Sequence, residues 1–245
     1  ADRLYQLPLG VVAIAIGVVL LPDLSRKLQA HDAVGARDAS NRAMEFALLL
    51  TVPSAVALMV VPEPLISFLF QRGRFSVEDA QKTAMAVSIY GMGLPAFVMQ
   101  KVLQPLYFAR EDTKTPFRFA LWAMVINAVV AVGLSFAIGY LAAAVATTLA
   151  AWTMVWLLWR GTKGMGEAVT ADARLRARTP RILLASALMG GYVYGVNILL
   201  APVYDLSRGL AVFIMVSSGI AVYFAAAYAI GAMKLSDLKA AVKRG

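Results

Sequence analysis

Runs of apolar residues alternate with short polar segments along the whole chain. A transmembrane helix needs about 20 mostly apolar residues. Seven runs approach or reach this length: residues 4–21, 46–61, 84–108, 117–138, 141–159, 182–200 and 210–230. The alternation with a period of two that marks the strands of a membrane β-barrel is not found in these runs. The pattern therefore predicts an all-α polytopic membrane protein with about seven transmembrane helices.

The longest polar segment divides these runs into a group of five and a final pair. We therefore predict a five-helix lobe in residues 1–160, a basic cytoplasmic linker in residues 161–179, and a final two-helix element with a cytoplasmic tail in residues 180–245. Thr179 and Pro180 are expected to open the sixth helix, because proline is favoured at a first helical position. In this final pair, small residues are expected to let the helix backbones approach closely, namely Gly190, Gly191 and Gly195.

The charged residues set the direction of these helices. The chain is 60% hydrophobic and 15% charged, with mean hydropathy +0.72 and a formal net charge of +9. Lysine and arginine concentrate after the first, third, fifth and seventh runs, and loops of this kind face the cytoplasm. This places Arg26, Arg110 and Arg174 on the cytoplasmic side. The basic charge therefore indicates membrane topology, and no nucleic-acid partner is expected.

The sequence offers no recognisable catalytic centre. It contains no cysteine and one histidine, and the acidic residues of the apolar runs are confined to their ends. Catalysis would require a nucleophile with a base, paired carboxylates or a metal cluster. We therefore expect a protein that is not an enzyme and that uses no cofactor or metal.

Two features of the apolar runs indicate function. Asp2 and Arg3 stand at the head of the first run, where charges beside hydrocarbon are costly and usually functional. The planar guanidinium of Arg3 suits an anion such as phosphate, although the side chain could instead extend to the membrane surface. Gly91, Gly93 and Pro95 lie within the third run and predict either a hinge or close helix packing.

Five stretches of the chain form recognisable motifs: ADRLYQLPLG at residues 1–10, VLLPDLS at 19–25, LFQRGRF at 69–75, YGMGLP at 90–95 and YFAREDTKTP at 107–116. In this order they resemble the MurJ (MviN) family of lipid II flippases, within the multidrug/oligosaccharidyl-lipid/polysaccharide exporter superfamily. The resemblance is strong up to about residue 118. The chain begins with Ala1 and without a signal sequence, so we expect a piece of a longer protein.

The resemblance implies the C-terminal half of a flippase that translocates lipid II, a lipid-linked peptidoglycan precursor, across the bacterial inner membrane by alternating access. Its implied partners are lipid II, membrane lipids and the N-terminal lobe of the same protein. By motif position, Arg3 matches an arginine of the family's central cationic cavity, and Asp2 matches its acidic neighbour. The final two helices correspond to a groove thought to take the undecaprenyl tail.

Two other functions are compatible with the pattern. The first is export of another lipid-linked oligosaccharide or of a drug by a related transporter. A cationic drug would call for carboxylates inside the spans, and these are missing from the sequence. The second is a membrane scaffold that transports nothing, in which Arg3 would be dispensable.

Overall fold

The computed structural model describes Gly10 and residues 20–71, 75–166 and 169–233. The described part of the chain is helical and contains no strand. Its helices are α1 (residues 20–29), α2 (Ala33–Val60), α3 (Pro62–Phe70), α4 (Val77–Phe108), α5 (Lys114–Ile138), α6 (Leu141–Gly161), α7 (Ala173–Leu199), α8 (Ala201–Leu206) and α9 (Arg208–Ala229). A short 3-10 turn, Thr162–Gly164, follows α6.

Six of the described helices are long and apolar enough to cross a membrane, namely α2, α4, α5, α6, α7 and α9. They correspond in order to the second to seventh runs of the sequence, which confirms the predicted class. The first predicted span, residues 4–21, lies almost wholly outside the described residues.

Side-chain caps fix where two of these helices begin. The Ser76 hydroxyl accepts the Asp79 amide at 3.1 Å while the Asp79 carboxylate accepts the Ser76 amide at 3.0 Å, which starts α4. Asp172 accepts the Leu175 amide at 2.6 Å and starts α7. The prediction that Thr179 and Pro180 open this helix is therefore wrong, because the Asp172 cap begins it earlier and Pro180 lies inside it. The last part of segment 161–179 is helical.

Helix α2 is the centre of the described fold. It packs against α4 on one side and against α7 on the other. A cluster of buried apolar residues joins α2 to α7 and α9, with Ile182, Ala185 and Met215 fully buried. The final helix pair therefore shares a core with the second span.

Of the three glycines that we expected at helix contacts in α7, Gly190 alone makes a close contact within the described part of the chain. A Cβ atom added at Gly190 would lie 2.6 Å from Cγ1 of Val56 on α2, whereas at Gly191 or Gly195 it would meet no atom of the described residues within 4 Å. The expectation for Gly191 and Gly195 is therefore wrong, because composition does not reveal which face of the helix meets its neighbour. A second close contact falls on α9, where a Cβ at Gly219 would lie 2.8 Å from Val193.

Helix α5 stands at the edge of the fold. It packs mainly against α6, and no residue in its most apolar stretch is buried. Asn127 donates a hydrogen bond to the Thr147 hydroxyl of α6 at 3.3 Å, which gives this polar side chain a partner. Apolar side chains such as Phe136 point outward, as expected for a helix surrounded by hydrocarbon.

Candidate functional site

The two residues predicted to bind an anion lie outside the described part of the chain. Asp2 and Arg3 precede residue 20, where the continuous description begins. Their role as substrate-binding residues stays a prediction.

The structure places Gly91, Gly93 and Pro95 between two neighbouring helices. A Cβ at Gly91 would lie 3.1 Å from Leu58 Cβ and 3.3 Å from the Ala55 carbonyl oxygen of α2. A Cβ at Gly93 would lie 3.1 Å from the Thr148 hydroxyl of α6. These distances support the close-packing alternative for the glycines.

The same segment is held by hydrogen bonds from α6. The Thr148 hydroxyl donates to the Ile89 carbonyl at 2.9 Å, and the Trp152 indole donates to the Met92 carbonyl at 3.0 Å. Pro95 lacks the amide that would bond to the carbonyl four residues earlier, which weakens the helix ladder here. The segment therefore combines a weak backbone ladder with support from a neighbouring helix.

A groove of about 350 Å³ lies between α2, α3, α7 and α9. This volume falls within the range of small-ligand sites. Residues from four helices form its wall, and they are Leu49, Leu50, Pro53, Ser54, Ala57, Val61, Leu65, Met189, Val193, Met215, Val216, Gly219, Ile220, Tyr223 and Phe224. Most of these side chains are aliphatic or aromatic, so the groove offers an apolar surface.

The hydroxyl groups in this wall are already bonded to backbone. The Ser54 hydroxyl donates to the Leu50 carbonyl at 2.8 Å, and the Tyr223 hydroxyl donates to the Leu49 carbonyl at 2.6 Å. A ligand here meets hydrocarbon together with satisfied hydroxyls. Such a wall favours an apolar chain over a polar headgroup.

Polar contacts lie beside the groove on its predicted outer side. The Tyr204 hydroxyl donates to the Asn197 side-chain oxygen at 2.9 Å and lies 3.6 Å from the sulfur of Met215, which lines the groove. Arg208, at the start of α9, donates to the Gln71 side chain at 2.9 Å. This bond joins the start of α9 to the residue that follows α3.

A charged cluster lies at the opposite end, which we predict to face the cytoplasm. Its centre is Glu45, one helical turn before the groove residue Leu49. Three arginines donate to the Glu45 carboxylate, and they are Arg42, Arg174 and Arg178.

The stretch 107–116 spans the end of α4, a short loop and the start of α5. The Tyr107 hydroxyl donates to the Leu158 carbonyl at 2.6 Å, and Arg110 donates to the carbonyls of Leu106 and Met165 at 2.8 and 3.2 Å. Burial lowers the pKa of Arg110. The Thr115 amide donates to Asp112 at 3.0 Å, and hydrogen bonds from Thr115 lower the pKa of that carboxyl group. These contacts give the stretch a structural role.

The helices and the groove define the class: a polytopic α-helical membrane protein with an apolar groove between its second span and its final helix pair. The family described as "Lipid II flippase MurJ" matches residues 1–217. The chain therefore belongs to the MurJ family.

Individual relatives agree with this assignment. The chain is 40% identical over 255 residues to a "Probable lipid II flippase MurJ" of Rhizobium meliloti, with 100% of this chain and 46% of the relative aligned. It is 33% identical over 250 residues to a protein of the same name from Vibrio cholerae, with 99% and 46% aligned. The chain thus spans about half the length of the curated relatives it matches.

A solved structure shares the fold. "Lipid II flippase MurJ, inward closed conformation" superposes with a TM-score of 0.73 at 24% identity, covering 92% of this chain and 44% of that one. At this identity the likeness supports the fold alone.

Sequence reasoning missed the charged cluster around Glu45. Two signals were available: a carboxylate next to an apolar run, and two arginines four residues apart, at positions 174 and 178. Residues with this spacing share a helix face. The partner across the fold could not be identified, because Glu45 and Arg178 are separated by 133 residues.

Proposed function

We propose that this chain is the C-terminal half of a flippase that moves lipid II across the bacterial inner membrane by alternating access. The observation that carries the proposal is the family match over residues 1–217. A transporter of this kind is not an enzyme, and its missing half would be the N-terminal lobe of the same protein. The relatives are about twice as long as this chain, which supports such a lobe.

The groove between α2 and the final helix pair is the proposed seat of the polyprenyl tail. Its wall is apolar and its hydroxyl groups are bonded internally. A polyprenyl chain gains free energy from contact with such a wall only through close packing, because the bilayer itself is equally apolar. The groove therefore guides the tail, and its affinity for lipid II depends mainly on the headgroup.

Arg3 is the proposed headgroup contact, with Asp2 as its acidic neighbour. A guanidinium binds the oxygens of a pyrophosphate through two parallel hydrogen bonds and keeps its charge at physiological pH. Asp2 would hold a cation of the N-terminal lobe when no lipid is bound. An arriving pyrophosphate would compete for that cation, which links lipid binding to movement of the lobes.

We propose that α4 bends during movement of the lobes at the segment holding Gly91, Gly93 and Pro95. Pro95 leaves the helix ladder without one donor there, while the two glycines pack closely against neighbouring groups. The carbonyls of Ile89 and Met92 are bonded to α6, so α6 would move together with this part of α4.

Lipid II binding by the full-length protein tests the proposal. Native mass spectrometry of the purified protein with lipid II should show binding, and Arg3→Ala should weaken it by about 2–5 kcal/mol if the contact is desolvated. Arg26→Ala is the matched control, because Arg26 is exposed and paired with Asp23. Equal affinity of wild type and Arg3→Ala would remove Arg3 from the site, and no lipid II binding by the wild type would overturn the proposed substrate.

The groove is tested by two tryptophan variants on one helix. Val216 lines the groove, whereas Phe213 is 69% exposed and lies outside it. Val216→Trp should lower labelling of the groove by lipid II that carries a photoreactive tail, and Phe213→Trp should leave it unchanged. Equal labelling of the two variants would argue against the groove as the tail site.

A further inference from the structure

One carboxylate joins the second span to the final helix pair. The side chain of Glu45 on α2 is 9% exposed. From α7, Arg174 donates to both of its oxygens, at 3.0 and 3.1 Å, and Arg178 donates to Oε1. From α2 itself, Arg42 donates to Oε2. Glu45 therefore accepts charged hydrogen bonds from two helices that are far apart in sequence.

A second set of bonds extends this contact to the turn before α7. Arg42 also pairs with Asp172, whose carboxylate caps α7. The Asn41 side chain donates to the Thr170 carbonyl at 2.9 Å and accepts the Asp172 amide at 3.2 Å. The start of α7 is thus bonded to α2 through both charged and neutral groups.

Such a cluster depends on its central carboxylate. Glu45 is the acceptor through which α2 holds Arg174 and Arg178 of α7. Removing one partner of a part-buried ion pair costs free energy, because the other charge loses a bond that water only partly replaces. Loss of the Glu45 charge therefore loosens the start of α7 from α2 at this point.

The apolar contact between α2 and α7 begins one turn after the charged end. Ile182 of α7 is fully buried in the core shared with α2, and Gly190 packs directly against Val56 of α2. From Arg178 to Ile182 the distance along the helix is about 6 Å. Opening of the charged end would therefore move the first turns of α7, before Ile182, and leave the core in place.

We propose that Glu45 is a positioning residue that clamps the start of α7 onto α2 and so fixes the width of one end of the groove. The clamp is the set Asn41, Arg42, Glu45, Asp172, Arg174 and Arg178. Glu45 lies about 6 Å along α2 from Leu49, the first groove residue. The effect of the clamp on the position of the helices does not depend on the proposed function. Its effect on transport does rest on that function.

Distances between spin labels in the full-length protein test the clamp. The chain has no cysteine of its own, so each pair of labels is attached to two introduced cysteines. Any cysteine in the rest of the protein is replaced. One pair, at Val34 and Ala177, reports the charged end, and a second, at Met59 and Leu199, reports the opposite end. Glu45→Gln should lengthen and broaden the first distance and leave the second unchanged, while Glu45→Asp should restore most of the wild-type distance.

Glu78→Gln is the matched control, because Glu78 is exposed and pairs with Lys82 on another face of the fold. It should change neither distance. If Glu45→Gln does not fold, the double variant Glu45→Gln with Arg178→Gln also removes the buried arginine, and it should still lengthen the first distance, because both sides of that bond are lost. Wild-type distances in either folded variant, or equal changes at both label pairs, would overturn the proposal, whether or not the protein transports lipid II.

Photolabelling gives a second readout. A phospholipid with a photoreactive acyl chain, in vesicles, should label the groove peptide around Leu49 differently in Glu45→Gln and in wild type. Labelling identical to that of wild type, with the helix ends shown to be apart, would mean that the clamp does not control the groove.

Discussion

Two adjacent glycines of α7 differ in what a methyl group would meet. A Cβ at Gly190 would lie 2.6 Å from Val56, whereas a Cβ at Gly191 would meet nothing within 4 Å. Gly190→Ala should therefore destabilise the protein by about 1–3 kcal/mol through overpacking. Gly191→Ala should be neutral or stabilise it by up to about 1 kcal/mol, because alanine suits a helix interior better than glycine.

Thermal unfolding of the full-length protein in detergent measures this difference. A lower midpoint for Gly190→Ala than for Gly191→Ala is expected. Equal midpoints would mean that α7 can shift away from α2 without penalty.

Single residues were predicted unevenly. Ser76 and Asp79 stand three residues apart, which is the spacing of a capping box, and they form this cap in the structure. The start of α7 was missed, because Thr179 and Pro180 match the pattern of a helix start more closely than the Asp172 cap does. Which glycine faces a neighbouring helix depends on how the helix is rotated about its own axis. The amino-acid composition of the helix does not give that rotation.

At the scale of elements, glycine substitutions in α4 can distinguish a hinge from a tight helix contact. Gly93 faces Thr148 and Phe97, both of which are side chains, whereas Gly91 also faces the backbone oxygen of Ala55. Side chains yield more easily than backbone. Gly93→Ala should therefore fold, and it should slow transport several-fold with nearly unchanged lipid II affinity if this segment bends during transport.

Transport and binding assays on matched amounts of protein separate the alternatives for α4. Gly91→Ala should lose more thermal stability than Gly93→Ala. Wild-type transport by Gly93→Ala would favour close packing as the whole role of the glycines.

The sequence predicted the helices, but it did not predict which helices pack against each other. Six apolar runs became six long helices because a chain in hydrocarbon must bond its own backbone groups. The groove was expected only through the family resemblance. Its wall comes from α2 and α3 as well as from the final pair, and apolar runs carry no information on which faces meet.

At the scale of the whole molecule, the charges predict one orientation in the membrane. Lys163 lies in the basic segment and is exposed, so a cysteine there should be protected from an impermeant reagent in intact cells. Tyr140, in the turn between α5 and α6, is 52% exposed and predicted to lie outside, so a cysteine there should react. The reverse labelling pattern would show that the topology is inverted and that the clamp lies on the outer side of the membrane.

Growth complementation tests most directly the proposal that Arg3 binds the anionic headgroup in a lipid II flippase. Cells depleted of their own lipid II flippase receive the full-length protein as wild type, Arg3→Ala, Arg3→Lys or Arg26→Ala at matched expression. We expect growth with wild type and Arg26→Ala, partial growth with Arg3→Lys, and none with Arg3→Ala, because only arginine combines the charge with a two-pronged fork. Full growth with Arg3→Ala, or no growth with the well-expressed wild type, would contradict the account.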